Sequence, residues 1–99
     1  MIISDIKNKT LDAAIETFGK EDQIIKSVGA MSDLIKELCI ALRNSADDTR
    51  SIIIQKLAEL YLSLEQLERI FDITDEELYE IESMEIADLV KTIEFKEGA

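Results

Sequence analysis

Two carboxylates on neighbouring predicted helices, Asp33 and Glu59, are the side chains of this sequence most suited to chemistry. Carboxylate oxygens are ligands that Mg²⁺ prefers in proteins. Acidic residues three or four positions apart on a helix point the same way, so two such pairs on adjacent helices form a metal cradle. A metal held there bridges phosphate oxygens and activates water, which is the chemistry of triphosphate cleavage.

The segments around these carboxylates, 27–38 and 55–67, resemble the paired metal-binding helices of MazG-like all-α nucleoside triphosphate pyrophosphohydrolases. That family carries Glu-Glu-x-x-Glu on the first helix and Glu-Glu-x-x-Asp on the second. The lead-in 14–24 and the segment 62–71 are also similar to the family, in the same order. The resemblance covers most of the chain and implies a MazG-like helical fold.

The family's metal-binding positions are mostly changed in this chain. They are occupied by Gly29, Ala30 and Asp33 on the first helix and by Gln55, Lys56 and Glu59 on the second. Only Asp33 and Glu59 keep a carboxylate, and Lys56 puts a cation where a metal ligand would be. The two carboxylates either hold one weakly bound, hydrated Mg²⁺ or are solvated helix-face charges that pair with Lys56. We therefore assign no catalytic residue and treat Asp33 and Glu59 as vestigial.

The predicted last helix departs from the family in the same direction. In the family this helix commonly supplies a Lys and an Arg, three residues apart, near the substrate phosphates. The segment 82–89 puts Glu85 and Asp88 at those positions. Acids there would repel phosphate, so the resemblance implies that both the metal side and the phosphate side of the site are lost.

The composition excludes several classes of function. With a net charge of −11, direct binding to nucleic acid or to an anionic membrane is not expected, since both are negatively charged. The absence of histidine excludes His-based zinc sites and Ser-His-Asp triads. No apolar stretch is long enough for a transmembrane helix. Cys39, the only cysteine, lies in an apolar run and is expected to be a buried thiol of a cytoplasmic protein.

Apolar residues recur at three- and four-residue steps through most of the chain, which predicts helices. We predict helices over 5–18, 21–43 and 49–71, and a fourth that begins after 72–73, with a short polar loop at 44–48. A loop this short favours antiparallel neighbours.

Four residues indicate where the predicted helices begin and end. Ser4 is the expected N-cap of the first helix, and Gly19 is its expected C-terminal stop. Thr74 and Glu77 are spaced as a capping box at the start of the fourth helix. That fourth helix is expected to turn its apolar side chains inward, namely Leu78, Ile81, Ile86, Leu89, Val90 and Ile93.

These elements predict a single all-α domain over residues 1–99, a four- to five-helix antiparallel bundle of the MazG-like type. The helix 49–71 is apolar over more than one face, which indicates burial on several sides. A chain of 99 residues has a marginal core alone. We therefore expect dimerisation to complete the bundle, as a homodimer or higher homo-oligomer.

The favoured function is a catalytically degenerate MazG-like protein that acts as a protein-binding or regulatory module. Small members of the family are often encoded by phages or other mobile elements, so the resemblance implies such a setting. No cofactor is expected. The alternative is an active Mg²⁺-dependent pyrophosphohydrolase (NTP to NMP and PPi) that depends on Asp33 and Glu59, helped by Glu37 or Glu65. A third hypothesis is an acidic inhibitor that covers the basic surface of a DNA-binding protein.

Overall fold

The computed structural model describes residues 2–43 and 49–98, and all regular structure in these ranges is α-helical. The four helices are α1 (Ile2–Phe18), α2 (Lys20–Arg43), α3 (Thr49–Ile70) and α4 (Asp75–Gly98). The all-α prediction is confirmed, and the predicted boundaries are close. One cap was wrong: Ser4 lies inside α1, which begins at Ile2. The predicted loop 44–48 lies outside the described residues.

Gly19 alone connects α1 to α2. Its φ of 88° lies in the left-handed region, where a Cβ would crowd the backbone. The Gly19 N–H donates to the Ile15 carbonyl at 2.9 Å, and the Gly19 carbonyl accepts from the Gln23 N–H at 3.2 Å. The predicted stop at Gly19 is therefore confirmed, and the same residue also begins α2.

The end of α3 is closed by a Schellman motif. Asp72 has a φ of 55°, and its N–H donates to the Arg69 carbonyl at 3.3 Å. The N–H of Ile73 reaches back to the Glu68 carbonyl at 2.8 Å. These two bonds satisfy carbonyls that the helix end would otherwise leave without donors.

The start of α4 is closed by the predicted capping box, which is confirmed. The Thr74 N–H donates to Glu77 Oε1 at 3.0 Å, and the Glu77 N–H donates to Thr74 Oγ1 at 3.2 Å. Because motifs on both sides of the connection are hydrogen-bonded locally, the direction of α4 is set by residues 68–77 and not by packing.

The first three helices form a small packed unit. Gln23 contacts Gln66, and Asp33 contacts Lys56, so the numbering runs in opposite directions and α2 is antiparallel to α3. Arg69 ties α3 to α1 by donating to Asp12 Oδ1 and to Asn8 Oδ1, both at 2.8 Å.

The fourth helix lies apart from this unit. No Cα of α4 comes within 8 Å of a Cα in the other three helices. The radius of gyration is 17.2 Å, whereas a compact chain of this length has about 13 Å. No described helix is both long and apolar enough to cross a membrane.

A single chain buries very little apolar side chain. Leu11 is the only buried large apolar residue in the described ranges. Every residue of α4 from Asp75 to Gly98 is exposed, so the expectation that its apolar residues point into a core was wrong for one chain. Those residues are Leu78, Ile81, Ile86, Leu89, Val90 and Ile93. Cys39 is exposed as well, contrary to expectation, because no other described helix covers that face of α2.

The capping box yields a pH-dependent prediction. The Thr74 backbone N–H and then the Thr74 hydroxyl bond to the Glu77 carboxylate and hold its pKa below the usual value. With a lowered folded-state pKa, the cap's contribution to stability is present above the usual glutamate pKa and is lost as the pH falls through the lowered value. In Thr74→Ala the hydroxyl bond is gone, so the Glu77 pKa should rise part of the way back. NMR titration of the Glu77 carboxyl carbon measures this.

Thr92→Ala is the matched control, because the Thr92 hydroxyl donates to the Asp88 carbonyl within the same helix and does not touch Glu77. It should leave the Glu77 pKa unchanged. An equal Glu77 pKa in the wild-type protein and Thr74→Ala would show that the hydroxyl bond is not formed in solution.

Candidate functional site

A cavity of about 610 Å³ opens between α1, α2 and α3. The six positions compared above with metal ligands are partly brought together here. Four of them line the cavity, namely Gly29, Ala30, Asp33 and Glu59. The wall also contains all four polar residues that the described part of the chain buries, namely Gln23, Ser27, Ser63 and Gln66. Both α2 and α3 therefore supply buried polar residues and one carboxylate each to the cavity wall.

Small residues keep the α2 wall of this cavity open. A Cβ built on Gly29 meets no neighbouring atom within 4 Å. Gly29 therefore does not serve close helix packing here, and Ala30 beside it adds only a methyl group. At positions 29 and 30 the α2 wall therefore offers no carboxylate.

Lys56 occupies the space between the two remaining carboxylates. Its Nζ lies 3.8 Å from Asp33 Oδ2 and 3.6 Å from Glu59 Oε2. The Lys56 side chain is 23% exposed, while those of Asp33 and Glu59 are 58% and 44% exposed. The Lys56 side chain as a whole is therefore more buried than the side chains of its two partners. Its charge reduces the negative potential that the pair could offer to a metal ion.

These residues are a poor fit for the Mg²⁺ of a triphosphate-cleaving enzyme. Such a site needs several carboxylate oxygens around the metal. Within the described ranges, no group of three or more His, Cys, Asp or Glu side chains is placed to hold a metal. Neither Glu37 nor Glu65 lines the cavity, and Glu65 instead pairs with Lys7 at 3.0 Å.

Glu85 and Asp88 do not reach the cavity within one chain. Both lie on α4, which makes no contact with the helices that form the cavity wall. No residue of α4 lines the cavity. Within a single chain, these two acids are therefore not placed to repel a phosphate in the cavity.

A buried amide pair, which the sequence interpretation missed, lies across the cavity wall. Gln66 Nε2 donates to Gln23 Oε1 at 3.1 Å, and both residues are at least 94% buried. The Ser27 hydroxyl donates to the Gln23 carbonyl at 3.0 Å. The signal was present in the sequence, because Gln23 and Ser27 are four residues apart and Ser63 and Gln66 are three apart on the facing helix.

The amide pair is incompletely bonded. Gln66 Oε1 is buried and has no hydrogen-bond partner. A buried acceptor without a donor costs free energy, so such atoms are uncommon. This oxygen is an open acceptor for a donor group.

Arg69 and Lys7 hold α1 against this wall. Arg69 donates to Asp12 and Asn8 of α1, and its Nη1 also bonds to the Glu65 carbonyl at 3.1 Å. The bond to Glu65 lies within α3, so the polar links from α3 to α1 are the bonds of Arg69 to Asp12 and Asn8 and the Lys7–Glu65 ion pair.

No protein-family model, curated protein or solved structure matches this chain. The function of the cavity therefore has to be inferred from its own side chains.

The amide pair predicts non-additive effects on stability. Gln23→Leu removes the acceptor of Gln66 Nε2 and leaves a second buried polar atom unpaired, so unfolding should become easier by about 1–3 kcal/mol. The double variant Gln23→Leu/Gln66→Met replaces both amides and should regain most of that loss. Urea unfolding at one protein concentration measures both. Gln55→Leu, an exposed change on α3, is the control and should stay within about 0.5 kcal/mol. Additive losses would contradict the pairing.

Proposed function

We propose that this protein is a catalytically inactive relative of the MazG-like pyrophosphohydrolases that acts as a homo-oligomeric protein-binding or regulatory module. The observation that carries the proposal is the Lys56 ammonium between Asp33 and Glu59. A phage or other mobile element as its source, and a cytoplasmic location, are part of the same proposal.

The contact of Lys56 with the two carboxylates supports loss of catalysis and not added stability. Exposed ion pairs of this kind contribute about 0–1 kcal/mol. Their consequence here is chemical, because a tethered ammonium competes with Mg²⁺ for the same oxygens and cannot activate water as a metal does. Gly29 and Ala30 supply no replacement ligand.

The exposed apolar surface supports a protein partner. Contiguous exposed apolar surface on a soluble protein usually marks an interaction site. In this chain the outward faces of α2 and α4 are both apolar and uncovered within the described residues. The charge of −11 disfavours nucleic acid as the partner.

The alternative is a Mg²⁺-dependent pyrophosphohydrolase that converts NTP to NMP and PPi. One observation favours it: Asp33 and Glu59 line the same cavity, which at about 610 Å³ is within the size range of small-molecule sites. Under this alternative Lys56 would have to move away before a metal could bind.

A turnover assay separates these two functions. We expect purified protein to release no pyrophosphate above background from a panel of NTPs and dNTPs, with Mg²⁺ or Mn²⁺, because the metal ligands are missing. Asp33→Ala should behave like the wild-type protein. Metal-dependent turnover that disappears in Asp33→Ala would overturn the proposal and support the enzyme alternative.

Charge reversal at Lys56 tests the observation on which the proposal depends. Lys56→Glu removes the competing ammonium and places a third carboxylate beside Asp33 and Glu59, so Mn²⁺ should bind about tenfold more tightly or better, equivalent to about 1.4 kcal/mol. Mn²⁺ titration followed by electron paramagnetic resonance measures the affinity. Lys20→Glu changes the net charge equally but lies at the start of α2 and pairs with neither Asp33 nor Glu59, so it should leave the affinity as it is. Equal Mn²⁺ affinities in the two variants would show that Lys56 does not weaken metal binding at this site.

A further inference from the structure

Helix α4 carries exposed apolar residues on more than one face, and none of its Cα atoms lies within 8 Å of a Cα in the other described helices. At about 100° per residue, six apolar residues fall within about one third of its circumference. We call these the α4 stripe: Leu78, Tyr79, Ile86, Leu89, Val90 and Ile93. They are between 36% and 73% exposed. An arc of this width is what a helix presents when it packs onto a core, and Glu82 is an acidic residue within the same arc.

The position of α4 is fixed by its connection to α3. The Schellman motif at Asp72 and the capping box at Thr74 leave no long flexible linker between the two helices. A stable helix is thus held away from its own three-helix unit with its apolar stripe uncovered.

A second apolar stripe runs along the outer face of α2. Its members, which we call the α2 stripe, are spaced three and seven residues apart: Ile25, Val28, Ile35 and Leu42. They are between 57% and 88% exposed, and α4 of the same chain does not contact α2. The spacing is that of a seam between paired helices.

We propose that α4 of one copy packs its stripe along the α2 stripe of a second copy, and that the second copy does the same in return. This inference rests on the proposed function, since it names the partner and the surface of the proposed homo-oligomer. Each three-helix unit would then gain a fourth helix from its partner. The result would be four packed helices, the number found in four-helix bundles.

The dimensions suit a stable dimer. Both α2 and α4 have 24 residues, so each is about 36 Å long. The α4 stripe spans 16 residues and the α2 stripe spans 18, so a contact about 10 Å wide along the stripes buries roughly 250 Å² on each helix, and two reciprocal contacts bury about 1,000 Å². This reaches the roughly 1,000 Å² that a specific interface needs.

Charge favours α2 as the surface that α4 contacts. The segment 75–98 carries nine acidic and two basic residues, so packing of α4 against α4 would bring like charges together. Lys36 and Arg43 lie next to the α2 stripe on the exposed surface and have no ion-pair partner within the described residues. They can pair with acids of the incoming helix.

Photo-crosslinking in a mixture of isotopically heavy and light copies tests this reciprocal packing of α4 on α2, which we call the exchange. The photoreactive residue p-benzoylphenylalanine replaces Tyr79, on the α4 stripe, in the full-length light chain. In the control it replaces Phe95, an aromatic residue on the opposite side of α4 that is 81% exposed. We expect the Tyr79 probe to link light α4 to heavy α2, at least tenfold more often than the Phe95 probe does.

Oligomeric state distinguishes failure of the exchange from failure of the proposed function. Light scattering should show a dimer for the wild-type protein and for Met84→Glu/Phe95→Glu, and a shift to monomer for Ile86→Glu/Ile93→Glu at the same net charge. Circular dichroism checks that the variants stay helical. A dimer whose Tyr79 links stay within one chain, or form only to another protein, overturns the exchange but not the oligomer. A wild-type monomer at micromolar concentration overturns both.

Discussion

Apolar surface that one chain cannot bury is the constraint on which the rest of this structure depends. Four helices form from strong local signals, yet Leu11 is the only large apolar side chain that is buried in the described residues. Hydrophobic burial is the main favourable term in folding, so helices this exposed need a further surface. The outward stripes of α2 and α4, and the separation of α4 from its own chain, follow from the same deficit.

Within the three-helix unit, polar contacts take over part of the role that a larger apolar core would have. The Gln23–Gln66 amide pair crosses from α2 to α3, and Arg69 links α3 to α1. These contacts are directional, so they fix how the helices face one another. Lys56 lies within ion-pair distance of both Asp33 and Glu59, the two carboxylates that line the cavity.

Features that depend on neighbouring residues could be predicted from the sequence, whereas contacts between distant residues mostly could not. Gly19 and the Thr74–Glu77 capping box act through bonds within a few residues, and both predictions were confirmed. The apolar spacing of α4 correctly predicted a helix, but it could not indicate that no other described helix packs on α4, so the predicted inward burial was wrong. Ser4 was wrong because α1 already begins at Ile2. Asp33 and Glu59 line one cavity, a placement that the resemblance implied and their spacing alone did not, whereas the Gln23–Gln66 pair, 43 residues apart, had no such guide in the sequence.

The measurement that tests this account most directly is amide hydrogen exchange of α4 as a function of protein concentration. A lone, fully exposed helix opens readily, whereas a helix packed into an interface is protected. The account predicts slow exchange for the amides of residues 79–93 at concentrations where the chain associates, and fast exchange on dilution, while the amides around Gln23 and Gln66 change less. Fast exchange throughout α4 in a protein that is nevertheless associated would contradict it.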